Sequence, residues 1–325
     1  MLVSVVVLTY NSADTISRTL DSIIAQAVIY GDQVEIIIGD DYSTDNTRII
    51  LLDYSQKYPN LINLVFNEKN LGVVNNYFNL MSRCSGKYIM ECAGDDYWLP
   101  DKMNKQIEYM EEHSDVGMCC GESVLYYEDI KKYSPIKHIS EGIIEFDSLM
   151  LENIICAATV CFRKELISDY IDEIKPLTKE WIMEDYPLWL WICKKQHIYY
   201  MNTKLCVYSV RYKSISHPDS KQKQLAFLDN TNMIRCFFAR NDHDLEIIRG
   251  KTNELLSDIY LNNNDMKNYR SVIKQNECKK NKLKFLFSYI PGYAKLLNRI
   301  RSIKSKDDIY YNDISELLDS TYLRT

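Results

Sequence analysis

The sequence predicts an α/β fold, in which an open, mainly parallel sheet is flanked by helices and followed by a helical C-terminal extension. Two observations favour this fold. Over the first hundred residues, Val- and Ile-rich segments alternate with segments of helical periodicity, which is typical of βαβ units. Residues 221–273 have a helical and polar pattern without a clear strand. We therefore expect two domains, residues 1–220 and 221–325.

Each predicted element follows from a short pattern of its own. Residues 3–9 form a β-branched run suited to a strand that is buried on both faces. Three similar strands are expected at 34–39, 61–66 and 88–93, each followed by a helix, and Pro100 suits the first turn of the last helix. Beyond residue 115 the pattern predicts strands at 116–127, 157–162, 199–201 and 206–211, and helices at 147–152 and 186–195.

The composition excludes several classes of protein. The chain has 325 residues, of which 46% are hydrophobic and 26% charged, as in ordinary globular proteins. No segment approaches the roughly 20 apolar residues of a membrane span, and no basic residues precede the N-terminal apolar run, as they would in a signal peptide. The ten cysteines form no CxxC pair, so we interpret them as free thiols in a reducing compartment. A cytoplasmic protein is expected.

Polar residues cluster where three of the predicted strands end. In an open α/β sheet the carboxyl ends of the strands border the ligand crevice. Caps and turns would explain any one of these clusters, but three clusters at one edge indicate a binding site. They are Thr9, Tyr10 and Asn11 after the first strand, Asp40 and Asp41 after the second, and Asp95 and Asp96 after the fourth.

The residue types at this edge indicate a diphosphate bound through a divalent cation. The segment TYNSAD after the first strand has no glycine, which argues against a dinucleotide held by a glycine-rich turn, and the P-loop pattern is missing. Mg²⁺ and Mn²⁺ prefer carboxylate oxygens as ligands. We therefore expect Asp95 and Asp96 to form the site of a Mg²⁺ or Mn²⁺ ion that stabilises a leaving diphosphate.

Four motifs follow one another in the first 103 residues: VSVVVLTYNSADTISRTLDSIIAQ, EIIIGDDYSTDNT, NLG and GKYIMECAGDDYWLPDKM. Together they resemble family-two glycosyltransferases, which have the GT-A fold, strongly over residues 3–115 and more loosely to about 220. The resemblance implies that Asp96 is the direct metal ligand and that Asp95 contacts ribose or bound water. It also implies a nucleotide-binding role for the residues after the first two strands and in the NLG motif, namely Thr9, Tyr10, Asn11, Asp40, Asp41, Asn70 and Gly72. The arginine that often follows this motif is replaced by Val73 to Asn76, which leaves a phosphate contact there open.

The resemblance also implies a catalytic base, because transfer with inversion requires a carboxylate that deprotonates the acceptor hydroxyl. Family members carry this base at the position of the acidic pair before the aromatic helix. We predict that Asp185 is the base, with Glu184 as the second choice. Capping of the helix is the alternative role for Asp185, and a helix N-terminus is expected to lower its pKa.

Three further residues are candidates for the site. His217 lies where some relatives close the site over the diphosphate or the metal, although a lone loop histidine also suits plain surface. Trp98 and Trp181 are predicted to stack on an acceptor sugar, because acidic motifs flank both. The QxxRW signature of processive synthases is absent, which favours the addition of one sugar per encounter.

Residues 279–306 form a basic amphipathic segment with nine Lys and Arg and no Asp or Glu. Such a segment suits the surface of an anionic membrane. The alternative is a solvated helix pair packed on the catalytic domain. No nucleic-acid-binding fold accompanies the charge, so we expect no nucleic-acid partner.

These observations predict an inverting, metal-dependent glycosyltransferase of cell-surface polysaccharide synthesis, peripheral on the inner face of the membrane. It would move one sugar from a nucleoside-diphosphate sugar, with UDP as the expected nucleotide, to a saccharide or lipid-linked saccharide acceptor. A nucleotidyltransferase is the second hypothesis, although the glycine- and arginine-rich loop of that class is missing. A catalytically inactive nucleotide-sugar-binding subunit is the third.

Overall fold

A computed structural model of the protein describes residues 1–136, 139–175, 180–211, 219–275, 284–286, 288–289, 292–295, 297–298 and 310–320. The chain divides into two compact units. The first unit comprises Met1–Val210 and the described residues from Tyr311 onward, and the second comprises Arg211–Tyr310. The first unit has the predicted α/β architecture, and the second is helical.

The first unit is built on one sheet. Its described strands are β1 (Val3–Thr9), β2 (Val34–Asp40), β3 (Ile62–Phe66), β4 (Tyr88–Ala93), β5 (Tyr97–Trp98), β6 (Val116–Tyr127), β7 (Lys132–Pro135), β8 (Gly142–Ile143), β9 (Cys161–Arg163) and β10 (His197–Val210). They follow the order β3-β2-β1-β4-β9-β6-β10-β5, with β7 beside β6 and β8 beside β10. The strands β3, β2, β1 and β4 are parallel, whereas β9 is antiparallel to both of its neighbours. Strands β6 and β10 are also parallel to each other, and the four motifs lie in or directly after β1 to β4.

Helices cover this sheet, and others form the second unit. The helices of the first unit are α1 (Ile16–Ala27), α2 (Thr47–Lys57), α3 (Val73–Met81), α4 (Lys102–Glu112), α5 (Phe146–Leu151), α6 (Ile167–Ile174), α7 (Asp185–Lys195) and α11 (Ile314–Ser320). Those of the second unit are α8 (Lys221–Phe238), α9 (Asp242–Asn262) and α10 (Met266–Gln275). None of the helices in the described part of the chain is long and apolar enough to span a membrane.

The core of the first unit explains why β1 and β2 are so rich in Val and Ile. Every residue of β2 is buried, and so are six of the seven residues of β1. On one face, Val5 and Val7 of β1 pack into the same core cluster as Leu20 and Ile23 of α1. Strands buried on both faces need continuous apolar runs rather than alternation, as the sequence pattern predicts.

Two local predictions beyond residue 115 were wrong in detail. Residues 157–162 begin with a 3₁₀ turn, Ala157–Thr159, and become a strand only at Cys161. The turn forms because the backbone N–H and the hydroxyl of Thr159 both donate to the Cys156 carbonyl, which competes with strand pairing. The two strands expected at 199–201 and 206–211 are one strand, β10, whose register shifts between Met201 and Cys206.

The chain returns to the first unit after the second. Tyr311 pairs with Tyr133 of β7 through two backbone hydrogen bonds of 2.9 and 2.8 Å. Leu317 of α11 is 1% exposed and belongs to a core cluster with Leu99 and Val207. These residues belong to the extension predicted at 221–325, and their contact with the first unit was not predicted from the sequence. Most of the basic segment 279–306 lies outside the described residues.

Candidate active site

The carboxyl ends of β1, β2 and β4 lie side by side, and we call this region the C-terminal edge. Thr9 pairs in register with Asp40 of β2, and the Gly94 N–H donates to the Leu8 carbonyl. A β-carbon at Gly94 would stand 2.8 Å from Thr9 Oγ1, closer than real contacts allow. The motif therefore requires a glycine where the end of β4 approaches the end of β1.

The loops after β1 and β2 are tied to each other. Asn11 has a positive φ of 50°, its N–H donates to Ser43 Oγ at 2.8 Å, and its Oδ1 accepts from the Thr44 N–H at 2.8 Å. The side chain of Asn11 thus builds the loop. Tyr10 is 50% exposed at the C-terminal edge, whereas Thr9 is buried and its hydroxyl has no hydrogen-bond partner among the described residues.

Asp40 is fully buried at the end of β2. Its Oδ1 accepts from the Ser43 N–H at 3.1 Å and from Nε of Arg48. Within the described residues its Oδ2 has no hydrogen-bond partner. Buried acceptors without partners are rare in proteins. The C-terminal edge has two such oxygens among the described residues, Asp40 Oδ2 and Thr9 Oγ1.

Asp41 holds the NLG motif in place. Its Oδ1 accepts from the Leu71 N–H at 2.7 Å, and its Oδ2 accepts from the Gly72 N–H at 2.9 Å. Asn70 Oδ1 also accepts from the Gly72 N–H, at 3.1 Å, and Gly72 has a positive φ of 79° that favours glycine. Because Asp41 is only 4% exposed, the structure assigns it the ordering of this loop, and the predicted contact with a base stays a prediction.

The adjacent residues Asp95 and Asp96 differ in environment. Asp96 is 3% exposed, and its Oδ1 accepts from the Ser209 N–H of β10 at 2.8 Å. Burial, followed by the charge of Asp95, raises the pKa of Asp96 well above its usual range. Asp95 is only half-buried. Asp95 is therefore the more accessible carboxylate of the two, and the assignment of the metal to Asp96 stays a prediction.

Helix α1 holds the backbone around this acidic pair. The Thr15 hydroxyl donates to the Gly94 carbonyl at 2.8 Å, and the Thr19 hydroxyl donates to the Asp96 carbonyl at 2.6 Å. Sequence reasoning missed both threonines. The available signal was their spacing of four residues, which places them on one face of α1.

Arg18 supports the peptide between the two threonine contacts. Its Nη2 donates to the Asp95 carbonyl at 3.0 Å and to Ser209 Oγ at 3.2 Å, and its guanidinium lies 4.6 Å from the centre of the Tyr97 ring. The Ser209 hydroxyl donates to the same carbonyl at 2.6 Å. The position of Asp95 is thus set by α1 and β10 together, and sequence reasoning had identified neither Arg18 nor Ser209.

The second acidic pair begins α7. Asp185 accepts from the Tyr186 N–H at 2.6 Å and from Asn153 Nδ2 at 3.3 Å. Burial outweighs these hydrogen bonds and raises the pKa of Asp185, so the expectation of a lowered pKa was wrong. Burial and then the charge of Asp185 raise the pKa of Glu184 to about 8. Two neighbouring half-buried carboxylates hold a proton more readily than an isolated one.

Cys156 links the two acidic pairs. The negative charge of Asp185 opposes ionisation of the Cys156 thiol. Cys156 in turn contributes to the raised pKa of Asp96. Cys156 therefore lies within electrostatic reach of a residue from each pair. The structure brings the predicted base and the predicted metal motif to the same part of the first unit, although 89 residues separate Asp96 from Asp185 in the sequence.

The three remaining candidates have different outcomes. Trp98 is 2% exposed, its Nε1 donates to the Glu91 carbonyl, and the Lys102 ammonium lies 4.2 Å from its ring centre. The predicted stacking of Trp98 on a sugar is therefore wrong, because the ring is a core side chain. Trp181 is 7% exposed, so its proposed contact with an acceptor stays a prediction. His217 lies outside the described residues.

The donor groups fit a hard cation that substrate helps to hold. The described residues contain no group of three or more His, Cys, Asp and Glu side chains that could bind a metal ion by themselves. Mg²⁺ usually binds one or two carboxylates and completes its shell with water and substrate phosphates. The half-buried Asp95 at the C-terminal edge fits this second arrangement.

Comparison with known proteins identifies the family. The family model described as Glycosyl transferase family 2 matches residues 4–182, more than half of the chain. The chain belongs to glycosyl transferase family 2. The resemblance inferred from the four motifs is thereby confirmed, and the acidic edge described above is the edge of a family 2 sheet.

Relatives in this family cover different shares of the chain. An uncharacterized protein of Mycobacterium tuberculosis is 34% identical over 164 residues, 50% of this chain and 47% of that protein, so the match spans about half of that relative. TuaG of Bacillus subtilis is 32% identical over 66% of this chain and 81% of the TuaG chain. Its name describes it, provisionally, as a teichuronic acid biosynthesis glycosyltransferase. WfgD of Escherichia coli, named as a UDP-Glc:alpha-D-GlcNAc-diphosphoundecaprenol beta-1,3-glucosyltransferase, is 28% identical over 69% and 82%.

Solved structures confirm the fold class. The structure of S. aureus TarS 1–349 in complex with UDP-GlcNAc has a TM-score of 0.55 and 17% identity, and the match covers 93% of this chain and 92% of that one. The mannosyltransferase PcManGT of Pyrobaculum calidifontis, in complex with GDP-Man and Mn²⁺, has a TM-score of 0.55 and 14% identity over 90% and 82%. At these identities the likeness concerns the fold, which is the predicted GT-A fold.

Proposed function

We propose that this family 2 member is an inverting, metal-dependent glycosyltransferase. It moves one sugar from a UDP-sugar to a saccharide or lipid-linked saccharide acceptor in cell-surface polysaccharide synthesis. The names of WfgD and TuaG support this donor, acceptor and process. The observation that carries the proposal is the pairing of an accessible carboxylate, Asp95, with a second acidic pair of raised pKa at Glu184 and Asp185.

The nucleotide of the donor binds at the C-terminal edge. Tyr10 offers an exposed ring at the end of β1, and a base can pack on its face. Asp40 is buried beneath this edge and holds the loop after β2 through the Ser43 N–H and Arg48. The loop of Asn70 and Gly72, which Asp41 orders, borders the same site.

Asp95, in place of Asp96, is the residue we assign to Mg²⁺ or Mn²⁺. When bound, the cation neutralises charge that develops on the leaving diphosphate. The backbone carbonyls of the acidic pair accept hydrogen bonds from Arg18, Thr19 and Ser209. Because the backbone is fixed in advance, less ordering of the Asp95 carboxylate is required when the donor binds.

Asp185 accepts the proton of the acceptor hydroxyl. A pKa of about 8 keeps Glu184 protonated at neutral pH, which leaves the negative charge of the pair on Asp185. The raised pKa of Asp185 makes it a stronger base than an exposed aspartate. Asn153 and the Tyr186 N–H hold both of its oxygens in a fixed orientation.

A panel of nucleotide sugars tests this function. Thermal stabilisation by UDP and one UDP-sugar, dependent on Mn²⁺ or Mg²⁺, is expected, and the product of transfer should have the inverted anomeric configuration by NMR. The substitution Asp185→Asn should reduce kcat at least about 10²-fold, as expected for loss of a general base, while stabilisation by UDP stays unchanged. Full activity of D185N would contradict the base assignment. Release of inorganic diphosphate from UTP and a sugar 1-phosphate, without transfer from any UDP-sugar, would support a nucleotidyltransferase.

We further propose that residues 279–306 bind an anionic membrane surface on the cytoplasmic side. Among the described residues of this segment, Leu286 is 66% and Tyr289 is 60% exposed. Exposed apolar side chains among nine cations suit the interface of an anionic bilayer. Co-sedimentation with anionic but not neutral liposomes, weakened by salt, is the expected result, and absence of binding to both would reject this part of the proposal.

A further inference from the structure

Two thiols lie beside the proposed catalytic acids. Cys156 Sγ and Cys206 Sγ are 3.9 Å apart. Cys156 is half-buried and precedes the 3₁₀ turn at Ala157–Thr159, whereas Cys206 is fully buried in β10. Cys156 is therefore the more accessible of the two thiols.

The surroundings of Cys156 favour its thiolate. The hydrogen bond with Cys206, together with the N–H of Ala158 and the Ser123 hydroxyl, lowers the pKa of Cys156. Ser123 is 3% exposed, and its hydroxyl has no hydrogen-bond partner among the described residues. A thiolate at Cys156 is an acceptor that this hydroxyl lacks in the resting state.

The neighbouring thiols are unlike Cys156. Burial raises the pKa of Cys206 and of Cys92 well above the usual range of a thiol. Burial and, to a smaller extent, the charge of Asp185 oppose ionisation of Cys156, but they do not outweigh the three hydrogen-bond donors. Since the thiolate is the nucleophile of disulfide exchange, Cys156 is the attacking sulfur of the pair and Cys206 the resolving one.

We propose that Cys156 and Cys206 form a disulfide when the protein meets a low-molecular-weight disulfide such as glutathione disulfide, and that the bond inhibits transfer. The Cys156 thiolate attacks one sulfur of the reagent and releases the first thiolate, which takes up a proton. Cys206 then loses its proton and attacks Cys156 Sγ, which releases the second thiol. The protein loses two electrons and two protons in total, and the reagent is reduced to two thiols.

The disulfide would strain both acidic pairs. The sulfur atoms must approach from 3.9 Å to about 2.05 Å. Asn153, three residues before Cys156, donates to Asp185. Cys206 lies opposite Trp98, two residues after Asp96, in the pairing of β10 with β5. The inhibition by the disulfide rests on the proposed function, whereas the formation of the bond does not.

The test treats the full chain with glutathione disulfide. Peptide mass spectrometry without reduction is expected to find a peptide that links Cys156 to Cys206. Transfer should fall by about 10- to 100-fold in kcat, the size expected when a catalytic group moves by about 1 Å, and dithiothreitol should restore it. Cys206→Ala should stop at the mixed disulfide on Cys156. Cys236→Ser removes an exposed thiol of the second unit and should respond like the unchanged protein.

Two outcomes would overturn the inference. One is that the unchanged protein yields no peptide linking Cys156 to Cys206, although the exposed Cys236 has reacted completely with glutathione disulfide. The other is equal loss of activity in Cys156→Ser, or in Cys156→Ala if the serine variant does not fold. If no sugar donor supports transfer, the linked peptide still decides whether the thiol pair exists, so failure of the proposed function is distinguishable.

Discussion

Asp95 and Asp96 lie in the turn that follows β4, where the Asp96 N–H donates to the Ala93 carbonyl at 3.1 Å. Their environments differ, because Asp96 is buried and Asp95 is half-buried at the C-terminal edge. The motif predicts that a carboxylate is presented there, but it does not say which one. The hydrogen bond from the Ser209 N–H to Asp96 decides this, and Ser209 lies on a strand whose position the sequence does not reveal.

Separate substitution of the two aspartates tests whether Asp95 or Asp96 binds the metal. Asp95→Asn should remove metal-dependent stabilisation by UDP and leave the free energy of unfolding without ligand nearly unchanged. Asp96→Ala leaves the buried Ser209 N–H without its acceptor and should lower that free energy by about 1–3 kcal/mol. Thermal shift with UDP and Mn²⁺, and urea unfolding without them, measure the two effects. If D96A lost metal dependence and D95N kept it, the original prediction of Asp96 as ligand would be correct.

The raised pKa of Glu184 predicts a pH dependence of stability. The pKa is about 8 in the folded state against 4.5 for an unperturbed glutamate. The folded state therefore binds more protons than the unfolded state in this interval, and stability falls as pH rises through it. Glu184→Gln removes this loss, so the variant should gain Tm relative to the unchanged protein between pH 4.5 and 8, with the largest gain at the upper end. Melting curves across this range measure the gain, and a constant difference would contradict the pKa shift.

At the scale of elements, the regular half of the fold was predictable and the irregular half was not. The strands β1, β2 and β4 were predictable because each is a continuous, mostly apolar run that is buried along its length. The segment from Ala157 and the single strand β10 were predicted with errors because a local turn and a shift of register decide them. Neither leaves a periodic signal in the sequence.

Helix α1 acts as a clamp for the acidic pair, and Thr19→Val tests this role. The substitution keeps the shape of the side chain and removes the donor to the Asp96 carbonyl. We expect a loss of about 1–3 kcal/mol in the free energy of unfolding and weaker metal-dependent binding of UDP. Ser55→Ala on α2, where an exposed hydroxyl donates to the Leu52 carbonyl, is the control and should change neither. Unchanged UDP binding in T19V would show that the clamp does not affect the donor site.

At the scale of the whole molecule, α11 belongs to the catalytic unit although it follows the second unit in sequence. Leu317 is 1% exposed beside Leu99, Val124 and Val207. Leu317→Ala should therefore lower the free energy of unfolding by about 2–5 kcal/mol. Leu286→Ala, at a residue of the second unit that is 66% exposed, should stay within about 0.5 kcal/mol. Urea unfolding of both variants makes the comparison, and equal values would remove α11 from the core.

The return of the chain at Tyr311 also affects the order of events during synthesis. Translation adds about 5–20 residues per second, so the roughly 100 residues of Arg211–Tyr310 separate Val210 from α11 by roughly 5 to 20 seconds. During that interval Tyr133 lacks its backbone bridge to Tyr311, and Leu317 does not yet cover Leu99 and Val207. The apolar surface that α11 covers in the folded protein therefore stays exposed in the nascent first unit until α11 has left the ribosome.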